Sequence, residues 1–325
     1  MPWSRKLSFS DPYECQIAIP AADIEIIPTA KGAFRLGITQ VGMPNLWMQR
    51  FQMTSPHVST ASLSSDRYAI GFLADETSSS FRYCGRELSP NAIVTIGDEV
   101  AYQNCHVDSV FGTMSLRKAD LRAAAQSLTG GAFDKPLRGT SLREVPGAIS
   151  RARSLHRTVA ELASHSPDIL AQPAVQHAFE QKMVHAMVRC LTDETSAPAE
   201  LRSHYREKMM RRFRDCLEAN PLRPLYLVEI CSAIGVAERT LRLACEEHLG
   251  MGPIRFLTQR RMHLVRRALL SAVDPKTTVT GIIIDHGFWE FGRFSVAYKA
   301  LFGESPSATL RTTLRSQRDG TSKTK

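Results

Sequence analysis

Two hydrophobic rhythms divide the 325-residue chain. Up to about residue 115, short apolar runs recur between Gly, Pro, Asn and Asp. They are DIEIIP (23–28), FRLGITQV (34–41), LWMQRFQM (46–53), YAIGFL (68–73), FRYC (81–84), AIVTIG (92–97) and SVFGTMSL (109–116). Their Ile, Val, Phe and Thr content predicts strands, and their spacing predicts a barrel or sandwich.

The period then lengthens. RKADLRAAAQSLTGG (117–131) has apolar residues at helical spacing before a Gly-Gly stop, and a second helical region covers 147–191. Within it Val175, Ala178, Phe179, Met183, Met187 and Leu191 fall on a common face. TDETSAPAE (192–200) is small, polar and poor in apolar residues, which reads as a linker. Beyond it every periodic segment is helical: 201–219, 225–234, 239–249, 254–270, 278–286 and 291–302. The expected fold class is α+β. A β-rich, barrel-like (cupin-like) domain with helical segments occupies 1–191, an all-α domain 201–315, and a disordered tail 316–325.

The helical part repeats itself. Ile230, Gly235, Leu241, Cys245, Leu249, Gly250 and Pro253 match Ile282, Gly287, Phe294, Tyr298, Phe302, Gly303 and Pro306. The offset is 52 residues through the first glycines and 53 afterwards. Each copy has the pattern of a helix-turn-helix: a glycine where the chain reverses, a second helix with one apolar face, and a closing Gly-x-x-Pro. That apolar face is expected to hold Leu241, Ala244, Cys245 and Leu249 in the first unit, and Phe294, Ala297, Tyr298, Leu301 and Phe302 in the second. The segment between the units, about 17 residues, spans ~25 Å as a helix. That is the order of length needed to hold two helices in successive major-groove segments of one duplex.

Charge sharpens this picture. The net charge is +9, yet residues 201–325 hold 22 Lys/Arg against 12 Asp/Glu, and residues 1–200 hold 19 against 20. All the excess positive charge lies in the repeated part, as expected of a surface that meets a polyanion. Double-stranded DNA, read through its major groove, is the expected partner. The seven cysteines are scattered, odd in number and without CxxC, which argues against a disulfide framework or zinc site. His57 and His106 lack an HxH pair or a nearby Glu, so no metal and no cofactor is expected. The N-terminus lacks a signal-peptide core and no apolar run approaches membrane-spanning length, so a cytoplasmic protein is expected.

GFWEFGRFSVAYKALFGESPSATLR (287–311) and RTLRLACEEHLGMGP (239–253) resemble the two helix-turn-helix units of AraC/XylS-type transcription regulators. The GFW opening and SPSATL close are most similar to the branch containing the ethanolamine-utilisation operon regulator. The resemblance covers about 110 C-terminal residues. It implies a DNA-binding regulator with a small-molecule effector and a homodimer, contacting RNA polymerase if it activates. The outward residues expected at DNA are Arg239, Thr240 and Arg242 in the first unit and Arg293, Ser295 and Lys299 in the second. Arg239, Arg242 and Arg293 are the expected base readers, since arginine can bond guanine O6 and N7 together. Lys299 is better placed for phosphate, and Trp289 is expected to anchor packing. Ala237 replaces the family's usual capping serine, and Leu243, Val296 and Gly292 replace polar residues that other members present. The alternative function is a DNA-modification or repair enzyme fused to such a domain, which would need a reactive or metal-bound cysteine cluster.

Overall fold

The structure, a computed structural model, describes residues 3–19, 22–64, 66–75, 81–106, 108–130, 141–193, 203–220, 223–274 and 276–321. The chain divides into two compact units, Met1–Ile26 with Arg35–Leu201, and Ile27–Phe34 with Arg202–Lys325. Most of the expected linker, 194–200, lies outside the described residues.

Among the described residues the strands are β1 (Trp3–Phe9), β2 (Ala22–Pro28, whose last two residues fall in the second unit), β3 (Leu36–Gly42), β4 (Trp47–Met53), β5 (His57–Leu63), β6 (Arg67–Leu73), β7 (Phe81–Tyr83), β8 (Arg86–Glu87), β9 (Ala92–Ile96), β10 (Ala101–Cys105), β11 (Ser109–Arg117) and β12 (Ser141–Glu144). The helices of the first unit are α1 (Pro12–Ile17), α2 (Lys118–Thr129), α3 (Pro146–His165), α4 (Pro167–Leu170) and α5 (Pro173–Thr192). The strands form a seven-stranded sheet, β1-β3-β4-β11-β6-β9-β12, and a five-stranded sheet, β2-β5-β10-β7-β8. The expected barrel is therefore not closed by hydrogen bonding: β1 and β12 are edges of one sheet, β2 and β8 of the other.

Both faces of the large sheet are covered at its centre, and this explains why β6 is buried at all seven positions. Side chains alternate across a strand. Tyr68, Ile70 and Phe72 of β6, Met48 of β4 and Met114 and Leu116 of β11 join Leu121 of α2, Ile149 of α3 and Met183 and Met187 of α5 in one core. The intervening residues, Ala69, Trp47, Gln49, Phe51, Thr113 and Ser115, line a cavity together with residues of the smaller sheet. Helix α3 is fixed to the sheet by buried polar groups. Arg153 donates to the Leu73 carbonyl at 3.0 Å and also to that of Pro90. His156 Nε2 donates to the Gln49 carbonyl at 2.9 Å. A Cβ on Gly112 would sit 2.9 Å from the His156 ring, so glycine there admits the imidazole. On α5 the buried Glu180 accepts from the backbone N–H of Asn45 and Leu46, which ties down the β3–β4 turn.

The second unit is helical: α6 (Ser203–Glu218), α7 (Leu227–Ile234), α8 (Glu238–Leu249), α9 (Pro253–Leu270), α10 (Val279–Asp285), α11 (Phe291–Phe302) and α12 (Pro306–Thr321). Helix α12 runs into the segment expected as a tail; residues 322–325 lie outside the described ones. The repeat is structural. Gly235 and Gly287 both take left-handed backbone, φ +69° and +74°. In each turn the following residue, Val236 or Phe288, donates to the carbonyl five residues back, Cys231 or Ile283. Only Gly287 is also crowded, since a Cβ there would lie 2.8 Å from Pro224.

Two predictions follow from these contacts. Gly235→Ala should cost about 1 kcal/mol, the strain of an L-residue in left-handed backbone. Gly287→Ala should cost more, because its methyl also meets Pro224; equal urea midpoints for the two variants would contradict this. Burial of His156 lowers its pKa to about 4, and burial also lowers that of His57. Below pH 6.5 the unfolded chain takes up protons that the native histidines refuse. Stability of the first unit should therefore be full above about pH 6.5 and fall by ~3 kcal/mol towards pH 4. His156→Gln should flatten that slope in pH-resolved urea titrations.

Candidate nucleic-acid interface

The second helix of each copy is held by its inner face. Leu241, Ala244, Cys245 and Leu249 of α8 are buried, as are Phe294, Tyr298 and Leu301 of α11. Phe288, Phe294, Tyr298 and Phe302 form a run of ring contacts at 4.8, 5.7 and 4.5 Å between centroids. Below it lies a hydrogen-bonded chain. The Tyr298 hydroxyl meets Thr309 Oγ1 at 3.1 Å, Thr309 donates to Glu304 at 2.9 Å, and Arg266 of α9 donates to the same carboxylate oxygen at 2.9 Å. SPSAT now has a physical reading. Ser305 caps α12 by accepting from Ala308 N–H, Pro306 opens it, and Thr309 meets Tyr298.

The outer faces carry the expected residues. Arg239 and Arg242 on α8 and Arg293 and Lys299 on α11 are exposed, while Thr240 and Ser295 are half-buried beside them. Arg242 pairs with Glu238 at 2.8 Å and Arg293 with Glu290 at 3.1 Å. Both acids lie at the N-terminal ends of their helices, where the dipole favours them. These exposed pairs are worth little and can open when a stronger anion arrives. Arg239 has no ion pair among the described residues. Ala237 leaves α8 without a side-chain cap, as its identity predicts.

Two expectations fail. Trp289 is 69% exposed at the N-terminal end of α11 and is no packing anchor. Ala297, placed on the inner face by its spacing, is exposed, although its counterpart Ala244 in the first unit of the repeat is buried. On α9, Arg260 is buried and Arg266 is bound to Glu304, so these cations have structural work and are not free for phosphate.

The first unit holds a second feature that sequence reading missed. Between its two sheets lies a cavity of about 80 Å³, several times what one water requires. Its walls are Ile24 and Ile26, Trp47, Phe51 and Phe111, and among the described residues no Lys, Arg, Asp or Glu lines it. Gln49 and Thr113, directly opposite in the β4–β11 register, supply polar groups from one sheet; Ser59 and Gln103 supply them from the other. His57, also in the wall, is buried and bonded through Nδ1 to the Ser55 carbonyl at 2.8 Å. Arg67, which is not itself among the lining residues, stacks on Trp47 at 4.1 Å and spends its donors on Ser115. The strand signal was hidden because β5 and β10 face this space with Ser, His and Gln in place of aliphatic residues.

Burial raises the thiol pKa of Cys15, Cys105, Cys190 and Cys245 to about 12, so these cysteines stay protonated near neutral pH. Among the described residues no group of three or more His, Cys, Asp or Glu could hold a metal ion, and no helix is long and apolar enough to cross a membrane.

Residues 230–312 match a family of helix-turn-helix domains. A probable thc operon regulatory protein of Rhodococcus erythropolis is 40% identical over 98 residues, covering 30% of each chain. The XylDLEGF operon transcriptional activator 2 of Pseudomonas putida is 31% identical over 94 residues, 29% of this chain and 60% of that one. The alignments thus span less than two thirds of these relatives. Among solved structures, the AraC-like transcriptional activator CuxR aligns over 81% of this chain and 96% of its own at 14% identity, TM-score 0.35. ToxT from Vibrio cholerae aligns over 89% and 97% at 11% identity, TM-score 0.28. Neither overlap is close enough to bear on ligand or activity. The duplicated helix-turn-helix, its Gly-x-x-Pro closures and the sequence matches across it agree: the C-terminal part of the chain is a helix-turn-helix domain of the kind carried by AraC/XylS-type DNA-binding transcription regulators.

Proposed function

We propose that this chain is a sequence-specific transcription activator that reads double-stranded DNA through α8 and α11 and responds to a small molecule held in its first unit. One observation carries the DNA reading. Two equivalent helices are each fixed on one side, and each leaves arginine on the other. A helix held in this way can enter a major groove without surrendering its own packing. Helix α9, 18 residues or ~27 Å long, sets the separation of the two helices at the scale of successive groove segments. Arg239, Arg242 and Arg293 read bases in this proposal, Thr240 and Ser295 assist, and Lys299 meets phosphate. Activation, which would involve RNA polymerase, is supported by the activator name of the Pseudomonas putida relative. Action as a homodimer remains part of the proposal on family grounds.

The cavity between the sheets is the candidate effector site. Among the described residues its wall has no charged side chain, so an ionised ligand would lose its hydration without a compensating partner in that wall. The ligand class it suits is small and uncharged, apolar over most of its surface, with one or two groups that can bond Gln49, Thr113, Ser59 or Gln103. The fused-enzyme alternative calls for a reactive or metal-bound cysteine cluster; burial keeps Cys15, Cys105, Cys190 and Cys245 protonated, and among the described residues no group of three or more His, Cys, Asp or Glu could hold a metal ion.

Arg293→Ala should weaken binding to a selected site by ~1–3 kcal/mol and relax sequence preference there. Lys299→Ala should weaken all duplexes alike and lower the salt slope by about one. Competition with random duplex at fixed salt measures both. An Arg293→Ala protein that bound its site as tightly as the parent would remove Arg293 from the reading set. In a thermal-unfolding panel, uncharged compounds should raise the midpoint of the first unit and their carboxylate counterparts should not. At a hundredfold excess over Kd the gain is about 2.7 kcal/mol, and Gln49→Leu should reduce it.

A further inference from the structure

The outward faces of α8 and α11 are not wholly polar. Leu243 is 49% exposed and Val296 is 72% exposed. A lone exposed aliphatic residue is ordinary on a protein surface. These two are not independent, because the repeat offset of 53 places Leu243 and Val296 at the same position of the two units. Each also lies within the cationic face. Val296 is three residues from Arg293 and from Lys299, so the three share one side of α11. Leu243 follows Arg242 and lies four residues after Arg239 on α8. One turn before Val296, Gly292 leaves the helix surface bare: a Cβ there would meet nothing within 4 Å. An aliphatic side chain amid arginines, with open space beside it, suits a partner that is anionic overall and presents an apolar group in reach. Duplex DNA is such a partner, since the thymine 5-methyl projects into the major groove and cytosine lacks it.

We propose that Leu243 and Val296 are specificity-determining residues that read thymine by covering its methyl group, one in each unit. The inference rests on the DNA-binding reading above. It assigns a discriminating role to two positions whose side chains can make no hydrogen bond. Thymine beneath them is preferred because apolar area leaves water on both sides, whereas cytosine at the same place leaves the side chain wet.

The test uses the full-length protein. Duplexes selected from a random library are remade with deoxyuridine at each thymine in turn, which deletes the methyl and nothing else. At the thymines facing the two helices, affinity should fall about fourfold, the equivalent of one buried methyl group. In V296A and L243A, each with its fold checked by circular dichroism, the same substitution should become neutral at the corresponding thymine. If selection enriches no sequence, the DNA-binding reading fails and this inference with it. If sequences are enriched but deoxyuridine is tolerated throughout, or its cost is the same in parent and variants, the inference alone is overturned. Loss of promoter activation by V296A at unchanged DNA affinity would likewise overturn it and assign the patch to a protein partner.

Discussion

A twelve-residue helix is marginal in water on its own, and both α8 and α11 have that length. Their stability must come from the side turned inward, and every other feature of the second unit serves that need. In α11 the inner side is aromatic and ends in the Tyr298–Thr309–Glu304–Arg266 chain. In α8 it is small and aliphatic, with Ala244 and Cys245 entirely buried. The second helix is thus anchored by larger groups and by polar bonds to α9 and α12, while the first relies on close packing; neither has a side-chain cap at its N-terminus. Removing the inner contacts would leave no defined outer face, so recognition here is a consequence of packing.

The first unit obeys a different constraint. Its large sheet is covered on both sides, but by different partners. Helices α2, α3 and α5 fill one side with a tight apolar core, and the smaller sheet encloses the other around a cavity. The alternation that puts Met48 in the core puts Trp47 and Gln49 at the cavity. One strand therefore serves the core and the cavity wall with successive residues. His156 links the two sides, since its ring lies in the helix layer and bonds the backbone of Gln49, whose side chain lines the cavity.

How legible these features are in the sequence depends on what each residue faces. Strands that bury aliphatic side chains, such as AIVTIG and YAIGFL, stand out as apolar runs. Strand β1 is an exposed edge with a mixed WSRKLSF pattern, and β5 and β10 turn Ser, His and Gln towards the cavity, so no such run marks them. Helix α12 escapes notice for a related reason. SATLRTTLRSQR is mostly polar and is held through Thr309 and Leu310. The helix-turn-helix units were readable because their pattern occurs twice, which turns weak signals into a shared one. Trp289 and Ala297 were misplaced where the copies differ: Trp289 falls in the second turn, which carries the extra residue, and Ala297 is exposed where its counterpart Ala244 is buried.

The same comparison explains why the outer faces need not be read as equals. Position by position, Arg239 matches Gly292 (through the offset of 53), Thr240 matches Arg293, Arg242 matches Ser295 and Glu246 matches Lys299. Cationic groups therefore sit at different heights on the two helices, and the last turn changes sign. Only the aliphatic position is kept. A protein carrying two identical reading heads would prefer a direct repeat. Here the outward polar residues differ between the two units while one aliphatic position is common to both. In the proposed complex with DNA the duplicated scaffold would supply equivalent docking, and the unequal polar residues would supply the asymmetry that lets a single chain fix its direction along a duplex.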